Sequence, residues 1–396
     1  MAMTNDTPPD MQTHRPSVSQ IFWAFLRLGL TAFGGPAMVS YIGEMAVTKK
    51  KWLSRQLFKE GVAVAQTIPG ATAMQTAAYV GLRVRGLAGA AAAYIGFGLP
   101  AFILMVVLSA VYGATHESPV SLSVFRGLQV IVVGIVARAT FTFGRTTVKR
   151  WQDALVGLAA AAYLVFGGNP ILAIVGGAAM GLVLYRPIAT TSESHDMGEI
   201  RPTTRPVLLI ILAALAVTVS LLLINRPLFD VSALMMKVDA FAFGGGFASV
   251  PVMLHEVVGV RHWMSTKTFM DGIAMGQITP GPIVITATFI GYRVAGIIGA
   301  LFATIAVFFP SFVILAFVVP HFDRVKANPW FQRGMRGVLA SFVGLLLAVT
   351  LRFGIAVPWT PVSAIFGVAA FTALMLKVDV PWVVVPGAVI SAFIFH

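Results

Sequence analysis

The chain has 396 residues, 58% of them hydrophobic and 11% charged, with a mean hydropathy of +0.87. So few polar residues cannot cover a soluble globule of this size, which places the chain in a lipid bilayer. Its formal net charge of +13 is spread singly or in short runs between apolar segments, the pattern of membrane loops rather than of a nucleic-acid surface, and the lack of cysteine excludes disulfides, thiolate metal sites and cysteine nucleophiles.

Residues 1–20 are polar, carry Pro8, Pro9 and Pro16, lack the regions of a signal peptide and read as a disordered tail. Beyond them, apolar runs predict about 13 membrane elements, all helical, some short enough to need shelter from their neighbours. They fall at 21–43, 57–82 (broken at Pro69), 87–112, 121–143, 152–166, 170–186, 206–225, 231–256, 268–292 (broken at Pro280), 296–319, 336–352, 361–376 and 381–396. The hydrophilic stretch 187–205, with Pro187 and Pro202, separates two halves. The expected domains are therefore a first repeat at 21–186, a linker and connecting helix at 187–230, and a second repeat at 231–396.

A shift of 210 to 212 residues lays one half on the other. Phe33-Gly34-Gly35 matches Phe243-Gly244-Gly245, Glu44 matches Glu256, Trp52 matches Trp263, and Gln66, Pro69 and Gly70 match Gln277, Pro280 and Gly281. Gly81, Pro100 and Arg126 continue the register to Gly291, Pro310 and Arg336. Duplication with interrupted helices in corresponding positions points to a secondary transporter and to its binding site. The loop 144–151 is basic and 113–120 has no Lys or Arg, whereas in the second half 320–335 is basic and 353–360 has none. That reversal predicts inverted repeats. Lys49, Lys50, Lys51, Arg83 and Arg85 share one side only if 57–82 is re-entrant.

Proline removes a backbone hydrogen bond and clashes with the preceding turn, so Pro69 and Pro280 end their helices. The restarted helices aim free N–H groups at the break, and helix N-termini of this kind attract anions. Gln66 and Gln277 can add amide donors, and Thr67, Thr72, Thr76, Thr279 and Thr286 can add hydroxyls. Pro69, Gly70, Pro280, Gly281 and Pro282 would shape the site. The alternative is that the breaks are packing kinks whose Thr and Gln satisfy freed backbone groups. Phe33-Gly34-Gly35-Pro36 and Phe243-Gly244-Gly245-Gly246 read either as part of a substrate path or as close helix crossings. Arg126 and Arg336 are candidates for attracting an anion along that path, and Glu44 and Glu256 for gating or proton coupling, although ionisable groups at span ends also snorkel. Trp52, Trp263 and Trp330 read as interfacial anchors. No metal-ligand spacing, phosphate loop or catalytic triad is present, so neither a metal, a cofactor nor an enzyme activity is expected.

Phe33-Gly34-Gly35-Pro36, the Trp52 region, Gln66-Thr67-Ile68-Pro69-Gly70 and the second-half copy ending in Pro280-Gly281-Pro282 resemble the chromate ion transporter family, over about residues 20–396. The resemblance implies a multi-pass protein of the bacterial inner membrane, with two oppositely oriented domains, that exports chromate using the membrane potential or the proton gradient and confers resistance to it. Sulfate, a tetrahedral dianion of similar shape, is the alternative substrate, and a membrane scaffold is the alternative of another class. The expected partners are these small anions and the bilayer, with a homodimer as the assembly and no nucleic acid. Gly246 stands where the first half has Pro36, and Ala71 where the second has Pro282, so the halves are expected to contribute unequally.

Overall fold

The computed structural model describes residues 16–33, 36–186 and 204–395, which form sixteen α-helices and no strand. The expected tail and most of the expected linker lie outside the described residues. Helix α1 (Val18–Thr31) opens on a capping box between Ser17 and Gln20 and stops at Ala32. Helix α2 (Pro36–Gly43) begins on proline, where the missing N–H costs nothing, and runs into a π-helical turn at Glu44–Lys49. The expected continuous span 21–43 is thus two pieces. Its counterpart 231–256 is divided likewise, into α9 (Arg226–Ala240) and α10 (Ser249–Leu254), which follows a short 3₁₀ turn and leads to a π-helical turn at His255–Val260. Gly244 and Gly245 lie between them at φ +93° and +101°, a region open to glycine and strained for other residues.

Helix α3 (Arg55–Thr67), capped by Ser54, leads to the first Pro-Gly break, after which α4 (Thr72–Thr115) begins. A Cβ placed on Gly61 would lie 2.2 Å from the ring of Tyr79, so residues on either side of Gly70 face each other and the chain folds back at the break. The second half does the same between α11 (Thr266–Ile278) and α12 (Thr286–Val318), where Gly272 meets Phe289. Each Pro-Gly pair is therefore the tip of a re-entrant hairpin. Helices α4 and α12 reverse once more, at Arg85–Gly86 and Ala295–Gly296, where the glycines take φ +65° and +62°. Gly81 packs on Gly89, Gly291 packs on Gly299, and Thr288 and Thr304 share a hydrogen bond of 2.7 Å across the second turn. The long outgoing arms, 87–115 and 297–318, are the next membrane elements. Because the first hairpin returns to where it began, Lys49–Lys51 and Arg83–Arg85 come to its same end.

Helix α5 (Pro119–Thr147) and its counterpart α14 (Pro329–Ala356) meet at the centre, where Thr140 and Thr350, 210 residues apart, are hydrogen-bonded at 3.0 Å. A contact between equivalent residues marks the pseudo-symmetry axis. Around it the repeats exchange their last hairpins. Helices α6 (Trp151–Val165) and α7 (Pro170–Leu184) of the first repeat pack on α14, while α15 (Pro361–Met375) and α16 (Val380–Ile394) of the second pack on α5. Each of these four helices has 15 residues, or about 22 Å, short of the roughly 30 Å hydrocarbon core. Glycine lets them approach closely, with Gly177 against the carbonyl of Gly337 and Gly344 against that of Gly157.

Helix α8 (Thr204–Ile224) is the connecting helix, and only 6% of its most apolar window is buried. Among the described residues, five segments are apolar and long enough to cross a membrane. Side chains such as Val183, Leu223 and Ile355, all about four-fifths exposed or more, cover the outside as lipid requires. A short helix, α13 (Phe322–Ala327), was not foreseen in the sequence.

The glycine contacts give a direct check. A Cβ at residue 344 would fall 1.8 Å from the Gly157 carbonyl, whereas one at Gly354 meets nothing within 4 Å. Gly344→Ala is expected to lower stability in detergent by about 1–3 kcal/mol through overpacking, and Gly354→Ala to leave the unfolding midpoint unchanged.

Candidate functional site

Each hairpin tip is seated on the other repeat. Gly70, at φ +117°, presses against Ser311, where a Cβ would lie 2.3 Å from the serine Cβ. Gly281, at φ +129°, faces Ala101. Ala101 and Ser311 are equivalent positions, each following the proline inside its helix, Pro100 or Pro310. The Gly70 N–H donates to the carbonyl of Ala242 at 3.0 Å, tying the first tip to the glycine segment of the second repeat. That segment lies between both tips. The Cβ position of Gly245 is 3.4 Å from Thr72 Oγ1, and that of Gly246 is 3.1 Å from Ile283 Cγ2.

Both helix restarts lack a side-chain cap, at Ala71 and at Pro282. Their first backbone N–H groups are unclaimed by side chains and point at the breaks, an arrangement suited to an anion. Gln66 is exposed and Gln277 partly so, leaving both amides free to turn. The threonines are placed differently. Thr67 donates to Ala63 O, Thr76 to Thr72 O, Thr279 to Gly276 O and Thr286 to Ile283 O, at 2.7 to 2.8 Å. Their protons go to helix carbonyls in this conformation, and the hydroxyl of Thr72 is the one next to the glycine segment. Gln75 escaped the sequence reading. Fully buried, it donates from Nε2 to Pro69 O and holds the first tip closed, while its Oε1 has no partner.

The charged candidates are dispersed. Arg336 makes a two-pronged pair with Asp153, 2.9 Å from Nε to Oδ1 and 2.7 Å from Nη2 to Oδ2, and its guanidinium lies 4.4 Å over the Tyr185 ring. Asp153 is wholly buried and also accepts the N–H groups of Lys149 and Arg150. The pair fastens α6 and the end of α7 to α14. Arg126, its counterpart, is exposed and has Ser363 in the register position of Asp153. Glu44 is exposed and paired with Lys49, whereas Glu256 is buried, 2.5 Å from Lys237 Nζ and 3.9 Å from Arg261. Phe33 and Phe243 flank their breaks half-buried; Gly34, Gly35 and the side chain of Pro36 lie outside the described residues.

Two further buried carboxylates were missed in the sequence. Asp271 on α11 accepts from the Tyr112 hydroxyl at 2.9 Å and from Gln129 at 2.8 Å, joining α11 to the first repeat. Asp239, near the end of α9, accepts the Ser311 N–H at 2.6 Å. Both stand within predicted apolar elements, which was the available signal.

A family model described as Chromate transporter matches the chain twice, over residues 19–182 and 229–392. The chain belongs to the chromate transporter family. An uncharacterized transporter of Methanocaldococcus jannaschii is 42% identical over 396 residues, covering this whole chain and 98% of the relative. The chromate transport proteins of Pseudomonas aeruginosa and Cupriavidus metallidurans are each 30% identical, over 88% and 85% of this chain and 83% and 82% of theirs. No solved structure matches the chain. Membership of this family and the apolar helices make it a multi-pass membrane protein.

The Arg336–Asp153 pair separates fastening from anion attraction. Arg336→Met is expected to cost about 3–5 kcal/mol by leaving a buried carboxylate unpaired, with much of the loss recovered in the double variant Arg336→Met/Asp153→Asn. Thermal unfolding in detergent reads it; normal stability with lost anion flux would assign Arg336 to the path instead.

Proposed function

We propose that this member of the chromate transporter family is a secondary transporter that exports chromate, driven by the membrane potential or the proton gradient, and so confers resistance. The observation that carries the reading is the convergence of two re-entrant tips, each with an uncapped helix restart, on one glycine segment. Two half-helix N-termini facing one another suit a tetrahedral dianion, with Gln66, Gln277, Thr72 and backbone N–H groups as neutral donors. Two helix ends do not repay the desolvation of a dianion, so these donors share the load.

The direction follows from charge. Moving one charge through 100 mV is worth about 2.3 kcal/mol, so a dianion leaving a negative interior gains about 4.6 kcal/mol, enough for roughly a thousandfold gradient. Export needs no ATP. The name of the P. aeruginosa relative favours chromate as the cargo. The halves are oppositely oriented in this reading, as their loop charges suggest, and rock about the tips.

Proteoliposomes are the test. Chromate flux should exceed that of empty vesicles, follow an imposed potential, and fall at least tenfold in Gln66→Ala/Gln277→Ala with the protein still inserted; equal accumulation in empty and loaded vesicles refutes transport. Sulfate competition reads the substrate range. Because the chain has no cysteine, single cysteines report sidedness cleanly. Those at Lys51 and Arg85 should label from one face, and one at His262 from the other.

A further inference from the structure

Among the three buried aspartates, Asp239 has the fewest hydrogen-bond partners. Its side chain is wholly inaccessible, Oδ2 accepts one N–H, from Ser311, and Oδ1 has no hydrogen-bond partner. Among the described residues no cationic side chain makes an ion pair with it. The other two buried aspartates differ in kind: Asp153 is answered by Arg336 and two backbone N–H groups, and Asp271 by two side-chain donors. A lone carboxylate held by one N–H is costly to bury, and the neutral acid in its place costs far less. The titratable group facing Asp239 from a neighbouring element is Tyr94 of α4, whose hydroxyl is 3.0 Å from Ser311 Oγ and donates to Phe308 O. Lys237, on its own helix, is turned to Glu256.

Two short connections run from this acid to the first hairpin tip. Ser311, which donates to Asp239, is the residue against which Gly70 is seated. Ala242, whose N–H bonds back to the Asp239 carbonyl at 3.1 Å, accepts the Gly70 N–H. Both contacts to Gly70 are thus anchored on the residue that carries the free oxygen.

We propose that Asp239 is a proton-binding site linked to anion occupancy at the neighbouring tip. The inference rests on the transport reading above. A proton from solvent adds to Oδ1 and converts the carboxylate to the neutral acid, removing one negative charge from beside the site. A bound anion favours the protonated form by the same repulsion, and by reciprocity the proton tightens anion binding. Proton and anion then bind together; a proton carried out with the dianion lowers the exported charge to one, so export in this form is driven by the potential and opposed by the proton gradient. Glu44 and Glu256, both ion-paired, are not required for this step.

Calorimetry of the purified full-length chain decides it, with chromate and then sulfate as titrant, in buffers of different ionisation enthalpy and at several pH values. Wild type should take up as much as about one proton per anion in the pH range where the acid titrates, Asp239→Asn about none, and Asp271→Asn as much as wild type. Uptake that survives in Asp239→Asn, or anion binding by wild type without uptake, overturns the proposal and leaves the transport reading standing. Failure of wild type to bind either anion overturns both. Should Asp239→Asn not fold, infrared difference spectra of wild type and Asp271→Asn must each show a protonated-carboxyl band gaining intensity on anion binding; its absence overturns the proposal.

Discussion

Within a bilayer every backbone N–H and C=O needs a partner inside the protein, and a chain that turns back part-way through leaves several without one. The two Pro-Gly tips create that deficit twice, and much of the remaining architecture answers it. The Gly70 N–H finds Ala242 O, and the carbonyl of Pro69 finds the Gln75 amide. Each tip is buried against the opposite repeat at the residue following a helix proline, where the regular hydrogen-bond ladder is itself interrupted. The donors at the helix restarts, which no side chain caps at Ala71 or Pro282, are the remainder.

Much of this was legible in the residues. The duplicated Gln-x-x-Pro-Gly, the elements outside the glycine breaks and the helical class follow from periodicity and composition, because hydrophobic spans leave strong signals. The reversals were harder to see. Whether a Pro-Gly kink bends a helix or folds it back depends on what packs between the arms, here Tyr79 lying in the space left by Gly61 and Phe289 in that left by Gly272. The breaks at Phe33–Pro36 and Phe243–Gly246 were read as features inside spans, since a run of apolar residues looks the same whether or not it is continuous. The hydroxyls of Thr67, Thr76, Thr279 and Thr286 looked like ligand donors, but a nearby carbonyl four or three residues back takes each proton first.

Symmetry also hides what it does not repeat. A register comparison selects residues present in both halves, so it passes over Asp239, which has Gly29 as its counterpart, and Asp153, whose counterpart is Ser363. Those unmatched acids are where the two repeats have diverged in chemistry while keeping a common frame. The frame is set by small residues and prolines, which decide how near two helices come. The acids decide how much charge the interior tolerates.

The exchanged terminal hairpins bear on how the chain is made. Helix α5 is covered by α15 and α16, which are made after every helix of the first repeat, while α6 and α7 are made long before the α14 surface they pack on. A first repeat emerging alone would present α5 and its glycine face to lipid or to another copy of itself, and neither half is closed until α16 is in place. Assembly is therefore a long-range event, and loss of α15 and α16 should damage the first repeat as much as the second.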